Sequence, residues 1–379
     1  MKWRSYIIYG MMACGALLTG CIEPPLHLPD GVPQVETEIK IDWQVDIDWH
    51  NKKIYGWLFD DAFTLEDLLG YPDPSNYEVR RYYLGNTPNG PHTSAGLDAF
   101  TVFGKRFKRS YQYGFYDLLI WSNIDSEDET QVLVVDDSDL DAVTATTTVT
   151  RGMLRAEGDL KVTALYNQPE IFYAGYPRNV EISNNPADYD YFDEEAQVWV
   201  KRISATLCPR VYIYLVQVVL YNNDGRITGT TGETAISGFA SGTNVNTGHT
   251  NNKPCQVYFD TAMRRNVSVE GRMADVAAGR LTTFGLCDME SYVVSSKSEY
   301  KGGRPEVNNY LYVPLQFRNG TQKTITVEVT DQCQSQCHGG VITVFIDCGT
   351  IPIPEGSGGG NVFVPTVEDY EEVDYDIEM

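Results

Sequence analysis

The sequence predicts an all-β protein built of two antiparallel β-sandwich domains with little helix. Three observations point there. Short runs rich in β-branched and aromatic residues recur along the chain, with Gly, Asn, Asp and Pro between them. Val35 to Trp49 alternates apolar and polar residues almost without error, the period of a half-buried strand. Only one short segment carries a helix signature.

The first residues are a processing signal. Lys2 and Arg4 precede Tyr6–Leu18, a mostly apolar stretch without charge, too short for a membrane span and suited to the core of a signal peptide. It closes on Leu18-Thr19-Gly20-Cys21, which resembles the bacterial lipobox: small residues admit the peptidase and the thiol accepts a diacylglyceryl group. Residues 1–20 are thus expected to be removed, with lipidation at Cys21 and residues 21–34 as a linker.

Val35, Ile39, Ile41, Trp43, Val45, Ile47 and Trp49 share one parity of the first strand, and charged or amide residues fill the other. Thr64-Leu65-Glu66-Asp67 before Leu68-Leu69 and Gly70 is a capping pattern for one short helix. Ala99–Phe103, Tyr111–Trp121 and Thr130–Val135 read as strands. A Thr-rich run, Thr144–Thr150, leads to Arg151-Gly152, and the domain boundary is placed there: 35–152 as the N-terminal domain, 153–379 as the C-terminal one.

In the second half, Gly158–Tyr166 opens, and Val211–Tyr221 is the most apolar strand and is expected at a sheet centre. Asn223-Asp224-Gly225 is expected to turn it back as a hairpin, because Asp-Gly supplies the positive φ values needed. Leu311–Phe317 and Thr324–Val329 flank Asn319-Gly320, a second hairpin signal. Val341–Cys348 is a further strand. Gly356–Gly360 is a flexible linker, and Val373, Tyr375, Ile377 and Met379 alternate with acids in a terminal strand.

Composition limits the function. The chain has 379 residues, 42% apolar, with a net charge of −23. That supports a sizeable core. Loss of Lys2 and Arg4 makes the mature chain more acidic still. Such a surface repels nucleic acid and anionic headgroups, so nucleic-acid partners are excluded. Of eight cysteines, Cys14 leaves with the signal and Cys21 carries lipid. Cys208, Cys255, Cys287, Cys333, Cys337 and Cys348 remain, an even number in an exported chain. They are expected as disulfides stapling the second domain, in a connectivity the sequence leaves open.

Catalytic signatures are missing. There is no His-Glu-x-x-His, Gly-x-Ser-x-Gly or phosphate-binding glycine loop, and the five histidines are scattered. Asp137, Asp139 and Asp141 have the spacing that opens a calcium loop, but Ala142 and Thr148 stand where Gly and Glu are required. Cys333-x-x-x-Cys337-His338 has one residue too many for haem attachment. No enzyme activity, cofactor or metal is expected. Trp43 and Trp49 lie on the apolar face of their strand. Trp57, Trp121, Trp199 and 25 Tyr are open to a sugar-stacking role.

Tyr116–Asp125, Ala235–Gly242, the early strand close behind Cys21 and the acidic alternating C-terminus together resemble the fimbrillin superfamily of Bacteroidetes lipoproteins, in a branch known only as a domain of unknown function. Trp121, Ile124 and the cysteine cluster depart from the branch. The resemblance implies two transthyretin-like sandwiches and a role in surface fimbriae. Anchor subunits of such fimbriae keep their lipid, whereas stalk subunits lose the early strand to proteolysis. The expectation is a lipid-anchored outer-membrane protein at the cell surface, an anchor or accessory subunit whose partners are fimbrial subunits joined by strand addition. The alternative is a surface glycan-binding lipoprotein of a nutrient-uptake system. Asp260-Thr261-Ala262 is similar to the tripeptide at which this bacterial group attaches O-glycans, which marks Thr261.

Overall fold

The computed structural model describes residues 31–42, 57–58, 73–92, 96–123, 132–135, 140–149, 155–157, 160–163, 165–230, 234–290 and 307–354. Among these, strands dominate; the exceptions include a 3-10 turn at Pro186–Asp188 and one short α-helix, Thr330–Ser335. The expected helix near residue 64, the later half of the first strand and the C-terminal strand lie outside the described residues. None of the described helices is long and apolar enough to cross a membrane.

The largest sheet has nine strands among the described residues. Its main path runs Leu97–Phe103, Asn76–Gly85, Gly114–Asn123, Tyr173–Gly175, Val198–Pro209, Gln34–Ile41, Arg106–Ser110. Val180–Ile182 pairs with Gly114–Asn123, and Tyr191–Asp193 with Val198–Pro209. Ala174 sits between Trp121 and Cys208 in register. Residues 173–209 therefore complete a sheet begun by the first third of the chain. Thr144–Thr147 is itself a strand, paired with Val132–Val135 on one side and Gly242–Asn244 on the other. The boundary expected at residues 152 and 153 does not separate the sheets. The Thr-rich run is expected to lead up to that boundary, yet Thr favours the pleated backbone.

By compactness the chain divides into two units: Met1–Thr37 with Lys108–Tyr113 and Ile182–Ile203, and Glu38–Phe107 with Gly114–Glu181 and Ser204–Met379. The larger unit contains a sandwich of two sheets. One has six strands, in the order Leu165–Tyr166, Pro254–Phe259, Thr234–Ala240, Tyr310–Phe317, Ile227–Thr230, with Gln322–Glu328 on Tyr310–Phe317. The other has four, in the order Ala262–Val269, Arg272–Thr283, Tyr212–Tyr221, Gly340–Asp347. One hydrophobic cluster draws on both: Tyr214, Val216, Val218, Ile342 and Val344 from the smaller sheet, Ile236, Phe259, Val313 and Phe317 from the larger. Shared burial of two inner faces is what holds a β-sandwich together.

Tyr212–Tyr221 is interior to its sheet, as its apolar run implied. Residues 212–220 are all buried, on both faces. On the outer face Gln217 accepts the Leu58 N–H at 3.0 Å and donates to Thr343 at 2.8 Å, so its amide is satisfied in an apolar setting. The Asn319-Gly320 hairpin forms as expected, antiparallel between Tyr310–Phe317 and Gln322–Glu328. The turn after Tyr221 does not make a hairpin. Asp224 and Gly225 adopt the expected positive φ values, 44° and 74°, but Ile227–Thr230 crosses to pair with Tyr310–Phe317 in the other sheet. Asn223 fastens this corner: it accepts the Ile227 N–H at 2.7 Å and donates to Ile227 O at 2.9 Å and Asp275 at 2.7 Å.

The six cysteines expected in disulfides, Cys208, Cys255, Cys287, Cys333, Cys337 and Cys348, are all buried, and no bridge is found among the described residues. They serve as small apolar core residues; Cys255, Cys333, Cys337 and Cys348 belong to the cluster between the two sheets. Burial pushes the Cys287 and Cys348 thiols up to about 12 and Cys337 to about 11. Thiolate, the reactive form, is thus suppressed. Iodoacetamide at pH 8 is expected to modify none of the six in the folded protein and all six after denaturation, as mass spectrometry will read. Non-reducing peptide mapping that finds a bridged pair among them would refute this.

Candidate functional site: the docked N-terminal strand

Gln34–Ile41, the described part of the expected half-buried first strand, is docked in the nine-stranded sheet. Val35, Thr37 and Ile39 face inward and are almost fully buried; Glu36, Glu38 and Lys40 face outward. Period-two patterning thus gives one apolar and one charged face, and the register is set by which face must be dry. The strand is interior to the sheet, between Val198–Pro209 and Arg106–Ser110.

Its two ends are held by different groups. In the smaller unit, Tyr111 N–H donates to Pro33 O at 2.9 Å. Glu36 accepts from Arg202 Nε at 3.1 Å and from the Tyr191 hydroxyl at 3.1 Å. The Tyr191 ring lies under the Arg202 guanidinium at 4.6 Å and the Lys108 ammonium at 5.4 Å, cation–π contacts that add to the ion pairs. Lys108 also donates to Asp193 at 3.2 Å. In the larger unit, Ile39 N–H donates to Lys105 O at 2.7 Å and Asp42 N–H to Leu207 O at 2.8 Å. Arg106 binds Glu38 through Nε at 3.2 Å and through a terminal nitrogen at 2.5 Å.

The Arg202 hydrogen bond holds the Glu36 carboxyl below its usual range, and Arg106 does the same for Glu38. Both folded values are depressed, so this stabilisation is present above the ordinary value of 4.5 and is lost as pH falls through the folded values. Resistance to thermal unfolding is expected to weaken below about pH 4.5. An E36Q/E38Q variant should have a lower melting temperature at pH 7 and a flatter dependence on pH between 5 and 3. Parallel curves would show that the pairs contribute nothing.

Thr37 is a weak point on the dry face. Its hydroxyl is buried without a hydrogen-bond partner, and such a group costs about 1–3 kcal/mol. Thr37→Val is expected to raise stability by about 1 kcal/mol, measured by urea denaturation; a loss of stability would contradict the packing described.

The structure also assembles a polar cluster that the sequence did not announce. Asp117 is buried and accepts from His92 Nε2 at 2.8 Å, the Tyr176 hydroxyl at 2.5 Å and the Asn179 N–H at 2.7 Å. Asn179 also exchanges hydrogen bonds with Asn89 at 2.8 Å. Burial, then the Asp117 bond, pushes the Tyr176 hydroxyl far up. The cluster ties two loops to the central strand Gly114–Asn123. The Tyr116-Asp117 pair lies in a segment already singled out by resemblance, but nothing local names its partners.

Other marked residues are dispersed. Cys21, Trp43, Trp49, Asp137 and Asp139 lie outside the described residues. Thr261 is half-buried, its hydroxyl 2.6 Å from that of Thr230 and 3.4 Å from that of Thr234. Trp57 and Trp121 are buried. Trp199 packs edge-on against Phe192 at 5.0 Å and beside Tyr189 at 6.4 Å, a half-buried aromatic group.

No protein-family model matches the chain, and no curated protein matches it. Solved structures do resemble it. A candidate adhesin of Bacteroides ovatus is 13% identical, with 85% of this chain and 95% of that one covered at a TM-score of 0.47. The fimbrial anchor protein Mfa2 of Porphyromonas gingivalis is 12% identical, with 83% and 91% covered at 0.39. A candidate polysaccharide-binding protein of Bacteroides thetaiotaomicron is 11% identical, with 83% and 91% covered at 0.40.

Proposed function

We propose that the chain is a lipid-anchored outer-membrane protein exposed at the cell surface, held by Cys21, that serves as an anchor or accessory subunit of a fimbria-like assembly. Its body is read as two transthyretin-like sandwiches, and its role as structural and adhesive rather than catalytic. The observation that carries the reading is the placement of Gln34–Ile41. This strand supplies core side chains and interior backbone pairing, and on this reading the mature chain keeps it. A subunit that is to receive a neighbour's strand in that place must first lose its own. Fimbrial partners would join elsewhere by strand addition, which uses main-chain hydrogen bonds for affinity and side-chain alternation for specificity. An O-linked sugar on Thr261 belongs to the same proposal and requires its hydroxyl to leave Thr230.

The test is removal of the gene from its native bacterium, followed by electron microscopy and cell fractionation. Shed or overlong fimbriae, restored by the intact gene, support the reading. Unchanged fimbriae together with tight binding of the purified protein to a glycan array would replace it with the glycan-capture alternative.

A further inference from the structure

The helix Thr330–Ser335 and the turn after it carry a short repeat, Gln332-Cys333 and Gln336-Cys337. Residues four apart lie on one helical face. Cys333 and Cys337 point into the core between the two sheets, where both are almost fully buried. Tyr214 pins the end of the turn, its hydroxyl donating to Gln336 O at 2.8 Å.

The glutamines face a different target. Among the described residues, Gly340–Asp347 is the last strand of the four-stranded sheet, parallel to Tyr212–Tyr221. Its outer edge presents the N–H and C=O groups of alternate residues. Gln332 Oε1 accepts the Thr343 N–H at 2.8 Å, and its Nε2 donates to Thr343 O at 2.9 Å. Gln336 treats Val341 in the same way, at 2.7 and 2.9 Å. A carboxamide offers the donor and acceptor of a peptide group. The spacings agree as well: four helical residues rise about 6 Å, and two strand residues span about 6.6 Å. Gly340 leaves the room required, since a Cβ there would lie 2.0 Å from Gln336 Oε1.

We infer that Gln332 and Gln336 act as a side-chain replica of a fifth β-strand, closing this sheet edge against pairing with the same edge of a second copy of the chain. The edge invites such pairing. Val341-Ile342-Thr343-Val344-Phe345-Ile346 holds no charge and no proline, the composition that adds strands readily. Two copies of one edge can meet about a two-fold axis. The next outward rung, Phe345, lies beyond the glutamines. Its side chain is 38% exposed and stacks on Tyr221 at 6.0 Å.

Residue-resolved hydrogen exchange and sedimentation of the mature chain test this. In the wild type, the Val341 and Thr343 amides should exchange at least 100-fold more slowly than open chain. In Q332A/Q336A both should accelerate at least tenfold, while those of Ile342 and Val344 do not, and the protein should self-associate with rising concentration. Gly340→Ala, which displaces Gln336 alone, should release Val341 more than Thr343. Open-chain exchange at Val341 and Thr343 in the wild type overturns the inference without any variant. So does a double variant that keeps both amides protected, or one that loses protection and stays monomeric.

Discussion

Removing Gln34–Ile41 should cost the protein its solubility or about 5–10 °C of melting temperature, and a synthetic peptide of that sequence should restore both. The size follows from what the strand covers. Burial of Val35 and Ile39 contributes about 1.5–3 kcal/mol each. Each ladder hydrogen bond lost from the flanking strands costs about 0.5–1.5 kcal/mol net, and more where the group stays buried. A total of about 5 kcal/mol corresponds to some 5–10 °C in a body of this size. Two new edges, on Arg106–Ser110 and Val198–Pro209, would also be open to aggregation. The control is a peptide in which each inward residue of the segment changes places with its outward neighbour. It keeps composition and charge but turns Glu36, Glu38 and Lys40 inward. Rescue by the native peptide alone supports docking by register. Equal rescue by both, or a truncated protein that melts unchanged as a monomer, rules the strand out as part of the core.

Local pattern carried strand identity well. The parity of Val35–Ile41, the unbroken apolar run of Val211–Tyr221 and the Asn319-Gly320 turn each report one element's own surroundings, and each took the form its residues implied. Partner choice was not legible. Tyr173–Gly175 returns to a sheet begun before residue 125 because Trp121 and Cys208 flank it in space, and no local periodicity encodes that. Asp224-Gly225 correctly announced positive φ, yet Asn223 bonds to Ile227 and Asp275 and turns the chain into the opposite sheet. The cysteines carry two readings for a related reason. Export makes disulfides the usual reading, but a buried thiol is also a good core residue, and the Gln-Cys repeat at 332 and 336 has one face for each task. Asp117 could not be read as a site because His92, Tyr176 and Asn179 reach it from distant parts of the sequence.

The second large effect concerns the membrane. The intact mature protein should partition into the detergent phase of a Triton X-114 separation, and its N-terminal peptide should carry a diacylglyceryl mass on Cys21. Acyl chains contribute about 0.8 kcal/mol per buried methylene, so one chain binds a membrane marginally and two hold it firmly. The rest of the mature chain offers little else. Its net charge is strongly negative, which opposes adsorption to anionic headgroups. Cys21→Ala by itself is an ambiguous variant, because an uncut Tyr6–Leu18 stays attached and is apolar enough to hold the chain at the membrane. The decisive variant replaces residues 1–20 with an ordinary secretory signal and also carries Cys21→Ala, so that the body is exported and cut without lipid. This protein should move entirely to the aqueous phase with its melting temperature unchanged, since Cys21 precedes the first strand. A wild type found in the aqueous phase, or a lipid-free variant that stays in the detergent phase, would remove Cys21 as the tether.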